Sequence, residues 1–329
     1  MLIPCCILPN KLIVIDDDKG FLASINNALT VFKYKSICFS DLEQAKNIIN
    51  ENKNWTDKLL NDEISRGFDD SDSTAFSIKL HLSSLKEQVY NSDRFEPITI
   101  LIIDFDMPDK NGLEFIRSLN NPNIKIIMLT GKATPEIVIK AFNDREIHRY
   151  VSKGDPDYLE KINKYIKELQ AEFYIDFSKI IIETLKKEHK IFNDQNFIKV
   201  FDQIIQENNI IECYLADESG SFFFQDDVAQ KQIFLIVKSK QELEQLFEMA
   251  AEDQNMTAYV LKKLKHKELI PFFMTEQEQI EDASRWKLFE AQPLDDEKNF
   301  YYAIITNDED LEMDRSRIKS YSEFLNESE

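Results

Sequence analysis

The stretch ITILIIDFDMPDKNGLEFI, from Ile98 to Ile116, limits the fold more than any other part of this 329-residue chain. Six residues in a row, Ile98 to Ile103, are apolar or β-branched without alternation, and the run stops at Asp104. A run of that kind reads as a strand buried on both faces, as in a parallel sheet covered by helices. Asp104 then sits at the carboxyl end of its strand, where open α/β sheets place their ligands. A carboxylate at the end of a dry strand is costly unless something pairs with it, so partners are expected elsewhere in the chain.

The same pattern recurs. Leu12 to Ile15 is a short apolar run that ends in Asp16, Asp17 and Asp18, and Phe21 to Leu29 follows with apolar residues at helical spacing. Ser36 to Phe39 reads as a second strand and Asp41 to Asn50 as a second helix, capped by Ser40 or Asp41. Ile124 to Thr130 is another buried strand, followed by Gly131 and by a helix over Pro135 to Phe142 with Thr134 as its cap. Arg149 to Ser152 is a last short strand, ending at Lys153. Five strands alternating with helices predict a doubly wound parallel sheet. Residues 52–96 break the rhythm and read as an insertion, because a compact connection takes only a handful of residues. Within it, Trp55 to Leu60 prolongs a helix, Gly67 to Ser73 is an acidic loop, and Phe76 to Tyr90 has helical spacing.

From Asp155 to about Lys190 the chain reads as one long helix with Pro156 in its first turn. Leu159, Ile162, Ile166, Leu169, Phe173, Phe177, Ile180 and Thr184 or Leu185 recur at steps of three and four, a heptad-like seam. Docking on its own domain accounts for the seam up to Leu169; beyond that a helix–helix contact is expected. Residues 191–306 change character. Strands at Ile210 to Ala216 and Ser221 to Phe224 flank the turn Asp217-Glu218-Ser219-Gly220. A third strand covers Gln232 to Lys238, followed by a helix from Ser239 with a Ser239/Glu242 capping box. A helix over Met256 to Lys267, a segment to Gln279, and strands at Lys287 to Ala291 and Phe300 to Thr306 complete a smaller α+β domain. Residues 307–329 form an acidic tail, expected to fray.

Net charge is −20. Residues 195–329 hold 29 acidic and 14 basic side chains, a balance of −15. Phosphate backbones are bound by lysine and arginine, so this half argues against a DNA-binding output. The basic run Lys262 to Lys267 is accounted for by a solvated helix face. The four cysteines and four histidines are scattered without metal-ligand spacing, which fits a reducing cytoplasm. The apolar opening MLIPCCILP has no basic flank and reads as a short extension rather than a signal peptide. No run approaches the ~18 apolar residues of a membrane span.

In a parallel sheet the carboxyl ends share one edge, so Asp16/Asp17, Asp104, Thr130 and Lys153 converge from four strands. Three carboxylates in one pocket repel, and a hard divalent cation with oxygen ligands relieves them; Mg²⁺ suits the site because it also binds phosphoryl oxygens. The lysine and hydroxyl beside it are what an incoming phosphoryl group needs.

This ordered set resembles the receiver domain of two-component response regulators, a flavodoxin-like five-stranded fold, over about Lys11 to Leu169. The resemblance implies that Asp104 is the phosphoacceptor, that Asp16 and Asp17 bind Mg²⁺, and that Asp106 lends the metal a backbone carbonyl. It implies that Thr130 is the switch hydroxyl, Lys153 the lysine that pairs with the phosphoryl group, and Tyr150 the switch aromatic. Met107-Pro108 and Gly112 match the turn after the acceptor strand. The chain departs from the family in carrying Gly154 where proline is usual, and in the insertion that doubles the interval between the acidic pair and Asp104. The expected domains are a receiver at 1–154, the linking helix at 155–190, the α+β output at 191–306 and the tail. The expected function is a cytoplasmic phosphorelay regulator, not an enzyme. A sensor histidine kinase or small phosphodonor phosphorylates it, and it forms a homodimer through the receiver and the 155–190 helix. Its output acts by protein or ligand contact. The alternatives are a DNA-binding regulator, or an output enzyme using Asp217, Glu218, Asp226 and Asp227, acids that an ordinary solvated turn also explains.

Overall fold

The computed structural model describes residues 3–52, 64–67, 77–80, 88–108, 110–121, 123–131, 134–273, 282–306 and 313–327. The helical continuation expected at Trp55 to Leu60, the acidic loop after Gly67, the last part of the segment to Gln279 and residues 307–312 of the tail lie outside them. In chain order the elements begin with β1 (Cys6–Ile7), β2 (Lys11–Ile15), α1 (Lys19–Val31), β3 (Ser36–Phe39) and α2 (Leu42–Asn52). After β4 (Ile64–Gly67) and β5 (Ser77–Leu80) come β6 (Ile98–Ile103), α3 (Gly112–Ser118), β7 (Lys125–Thr130), α4 (Pro135–Asn143), β8 (Arg149–Ser152) and α5 (Tyr158–Glu188). The second half begins with α6 (Gln195–Asn208), β9 (Ile210–Leu215), β10 (Phe222–Asp226), β11 (Gln232–Ser239), α7 (Lys240–Glu252) and α8 (Ala258–Lys265). It ends with β12 (Leu269–Phe272), β13 (Lys287–Glu290), β14 (Gln292–Pro293), β15 (Phe300–Ile305) and α9 (Tyr321–Asn326).

The chain forms two compact units. One comprises Ile7–Leu80, Asn91–Ser178 and Tyr321–Glu329, the other Met1–Cys6, His81–Tyr90 and Lys179–Ser320. The first holds a parallel five-stranded sheet in the order β3-β2-β6-β7-β8. Successive side chains alternate across it, as a pleated strand requires. Ile13, Ile15, Leu101, Ile103, Ile126 and Met128 pack on the face covered by α2, α3 and α4. Leu12, Val14, Ile100, Ile102, Ile127 and Leu129 pack on the face covered by α1 and α5. Both faces are therefore dry, which is why these strands read as unbroken apolar runs.

Asp41 caps α2, its carboxylate accepting from the Gln44 amide at 2.9 Å. Thr134 and Pro135 open α4 as expected, although the threonine side chain makes no cap hydrogen bond. Two readings of the insertion need correction. Ser77–Leu80 is a strand, not part of a helix, and pairs antiparallel with Ile64–Gly67. Its sequence Ser-Ile-Lys-Leu alternates at period two, and pairing satisfies its backbone groups. Gln88–Tyr90 is a single 3₁₀ turn.

The seam of α5 also differs from a coiled-coil stripe. Ile162, Ile166 and Leu169 join the core under the sheet. Past them the buried positions become Phe173, Tyr174, Ile181, Ile182 and Leu185, whereas Ile180 is 57% exposed. A straight helix drifts about 20° per heptad, so its buried face rotates away from a strict seven-residue repeat. Those side chains are covered within a single chain, and no continuous apolar seam stands free for a second helix.

The second unit is built on a sheet in the order β1-β9-β10-β11-β15-β14, its β9/β10, β10/β11, β11/β15 and β14/β15 pairs antiparallel. The β9–β10 turn ends at Gly220, whose φ of +94° suits glycine. The Ser239/Glu242 capping box is present in both directions. α6, absent from the expected elements, is an amphipathic helix capped by Asp194 that buries Phe197, Ile198, Phe201 and Ile204. β12 and β14 are likewise additional to the expected strands. Both chain ends depart from expectation. The opening residues are more than a short extension, because Cys6–Ile7 forms the edge strand beside β9. The end of the tail is not frayed, because α9 buries Tyr321 and Phe324 in the parallel-sheet unit. Each such ring contributes about 1.5–3 kcal/mol by burial.

Candidate functional site

Strand register builds the site. Ile15 pairs with Ile103, so Asp16 and Asp104 each lie one residue beyond neighbouring strand ends. The Asp104 amide donates to the Ile15 carbonyl at 2.9 Å and holds the two ends together. Across the sheet Thr130 pairs with Ser152, and the Lys153 amide donates to the Thr130 carbonyl at 3.1 Å. Asp16, Asp17, Asp104, Asp106, Thr130 and Lys153, with Asp18, Met107, Pro108 and Gly131, line one open cleft of about 550 Å³. Tyr150 does not line it; it packs, half-buried, against the apolar cluster on the α2–α4 face.

The charges are unevenly solvated. Asp16 is 1% exposed, Asp104 6% and Thr130 0%, whereas Asp17 and Asp106 are exposed. Lys153 bridges the two buried acids, its Nζ at 2.5 Å from Asp16 Oδ2 and 3.0 Å from Asp104 Oδ2. Burial pushes the Asp16 carboxyl above its ordinary value, against the opposing pull of Lys153 and of the Asp18 amide. Burial alone would lower the Lys153 ammonium, but its hydrogen bonds to Asp16 and Asp104 outweigh that and raise it. Lys153 is therefore a committed cation.

The donor set fits a hard divalent cation. Oxygens of Asp16, Asp17 and Asp104 can lie within 4.8 Å of one another. One of them, Asp104 Oδ1, is buried with no hydrogen-bond partner. An orphaned carboxylate oxygen beside two further acids is what a metal or an incoming electrophile would satisfy.

Two features of the site, the roles of Asp18 and Phe21, were not expected from the sequence, and a third, Gly112, gains a physical reason. Asp18, the third acid of the run, caps α1 by accepting from the Gly20 and Phe21 amides, and its own amide donates to Asp16 Oδ1 at 3.0 Å. The signal was there, an acid directly before a helical apolar pattern. Phe21 places its ring 4.5 Å from Lys153 Nζ, which steadies the ammonium from the apolar side. Gly112 earns its place sterically: a Cβ there would lie 2.3 Å from the Asp104 carbonyl oxygen. The described residues contain no cis peptide bond, so the Lys153–Gly154 link is trans.

Residues 74–164 match the response regulator receiver domain family. The match begins after the strand that carries Asp16 and Asp17; the tertiary structure restores that strand to the sheet. No curated protein matches the sequence. Among solved structures, the chain is similar to the Legionella pneumophila response regulator LqsR. That alignment has 29% identity and a TM-score of 0.76, and covers 99% of this chain and 96% of that one. A CheY-like receiver domain protein from Methanospirillum hungatei aligns with 50% of this chain and 98% of its own, at 19% identity and a TM-score of 0.32. The family match over residues 74–164, the sheet order and the likeness to LqsR through both units agree: the chain carries a region that matches the response regulator receiver domain, and its fold is that of a receiver-type parallel sheet joined to a second, antiparallel unit.

Proposed function

We propose that this protein is a phosphorylation-switched regulator in which Asp104 accepts a phosphoryl group from a sensor histidine kinase or a small phosphodonor. The observation that carries this reading is the buried, partnerless Asp104 Oδ1 in a cleft that also holds Lys153 and four further acids. In the transfer an Asp104 carboxylate oxygen forms a bond to phosphorus. The bond from phosphorus to the donor's imidazole nitrogen, or to a small donor's oxygen, breaks, and the leaving group departs with its electron pair. Lys153, already hydrogen-bonded to Asp104, compensates charge on the transferred group, and the Thr130 hydroxyl at the cleft wall is placed to donate to it. Asp16, Asp17 and Asp104, with the Asp106 carbonyl, would hold Mg²⁺, which when bound supplies charge neutralisation for the phosphoryl oxygens. Tyr150, three residues before Lys153 on β8, is the residue through which the change reaches the surface.

The consequence we propose is self-association and exposure of an output that acts by protein or ligand contact in the cytoplasm, without turnover chemistry of its own. Because α5 is covered within the chain, the receiver surface is the better dimer contact. On it Ile139 and Phe142 of α4 are 60% and 39% exposed. The test is incubation of the whole chain with acetyl phosphate, read by intact mass and light scattering. Modification that needs Mg²⁺, is lost in Asp104→Asn and accompanies a rise in mass supports the reading. Equal modification of Asp104→Asn would overturn it.

A further inference from the structure

The last helix docks at the edge of the parallel sheet opposite the Asp104 cleft. Tyr321 and Phe324 form an aromatic trio with Phe95, their ring centroids 5.2 and 5.4 Å from it. Lys11 and Lys35 lie over the Phe324 ring at 5.6 and 6.0 Å, and Lys35 Nζ donates to the Glu327 carbonyl at 2.7 Å. Lys11 opens β2, Lys35 precedes β3 and Phe95 precedes β6, so these contacts lie at the amino ends of the strands. The acids lie beyond the carboxyl ends, one strand length away, on the order of 15 Å.

We propose that Tyr321–Glu327 is a releasable strap, which docks and undocks on this edge while the sheet stays folded. Six helical residues are too few to form a helix alone, since isolated helices under ~12 residues are marginal in water. The helix therefore exists by virtue of docking, and ordering and docking are one event. Its hold is small. Tyr321 and Phe324 are its buried side chains. An open groove of about 570 Å³ runs beside it, lined by Asn26, Thr30, Lys33 and Lys35 on the sheet side and by Leu325 and Asn326 on the strap. A short segment anchored by two buried side chains belongs to the low-stability end of local opening. Removing it does not touch β7 or the Asp104 cleft, so its occupancy is a conformational variable separate from the chemistry of the site.

Hydrogen–deuterium exchange on the full-length chain tests this, with Phe324→Ala and, independently, Lys35→Met. In Phe324→Ala, amides of 321–326 should exchange at least about tenfold faster, a loss of ~1.4 kcal/mol or more in local opening. Peptides around Phe95 should follow, while β7 keeps its wild-type protection. Lys35→Met should give a smaller rise confined to the same peptides. Unprotected exchange of 321–326 in the wild type would overturn the proposal, because the strap would then not be docked. Equal acceleration of β7, or global loss of fold in Phe324→Ala, would overturn it as well, because the segment would then be an integral part of the core.

Discussion

Lys153→Met tests the electrostatic arrangement of the cleft most directly. The substitution keeps the aliphatic stem and deletes the charge that sits 2.5 and 3.0 Å from two carboxylates that are 1% and 6% exposed. Breaking a buried ion pair by removing one partner costs about 3–5 kcal/mol. The lysine side chain is 22% exposed, which places this case at the lower end, about 3 kcal/mol. For a unit of this size that corresponds to a fall of roughly 6–12 °C in Tm, measured in a chelator by calorimetry or circular dichroism. The pH dependence carries a sign. Asp16 already titrates above its ordinary value because it is buried. An acid with a raised folded pKa holds its proton more tightly when folded, so stability rises as pH falls towards that value. Without Lys153 the effect grows, and the deficit of Lys153→Met should shrink from pH 7 towards pH 5. Adding Asp104→Asn should recover part of the loss, as should Mg²⁺ by mass action. A variant that melts within ~1 °C of wild type in chelator would refute the reasoning, since that is well under the shift expected for ~1 kcal/mol.

Gly112→Ala drives a Cβ to 2.3 Å from the Asp104 carbonyl; it should cost about 1–3 kcal/mol and weaken beryllofluoride binding, both measurable by titration calorimetry and melting. His148 accepts from the Ile126 amide through Nδ1 at 3.1 Å, and burial, then Lys125, hold its imidazole below the ordinary 6.5. Its contribution to receiver stability should be complete above pH 6.5 and decline as pH falls towards the folded value; an NMR titration showing protonation at or above 6.5 would contradict this. In the second unit Asp217 is held below its ordinary value: burial alone would raise it, but Lys238 at 2.9 Å and the Ser221 donors outweigh burial. Asp217→Asn should lower stability by roughly 1 kcal/mol, discounted for its partial exposure. The difference from wild type should be present above the ordinary 3.8 and vanish as pH falls through the depressed value, as denaturant titrations across pH would show.

Strand after strand of the receiver could be read from unbroken apolar runs, because a sheet covered on both faces excludes polar residues and leaves acids and hydroxyls only at its ends. The same physics made Asp16, Asp104, Thr130 and Lys153 legible: a charge directly after a dry run must have a reason. Local chemistry likewise announced the Ser239/Glu242 cap and the turn at Gly220, since both depend on residues within four positions of one another.

Other features were set by partners far along the chain. Whether Phe173 or Ile180 is buried on α5 depends on what the helix meets as its face drifts, and no heptad count contains that. The strand at Cys6–Ile7 exists because β9 lies beside it, far along the chain; the Leu215 amide donates to the Cys5 carbonyl at 2.7 Å. Tyr321 and Phe324 lie in a stretch that reads as an acidic tail, and they are buried because Phe95, Lys11 and Lys35 meet at one edge of the sheet. The acidic run, the apolar strands and the lysine are properties of the chain itself; the bridge that Lys153 makes between Asp16 and Asp104 is a property of register. It depends on three strands, well separated in sequence, ending at the same height.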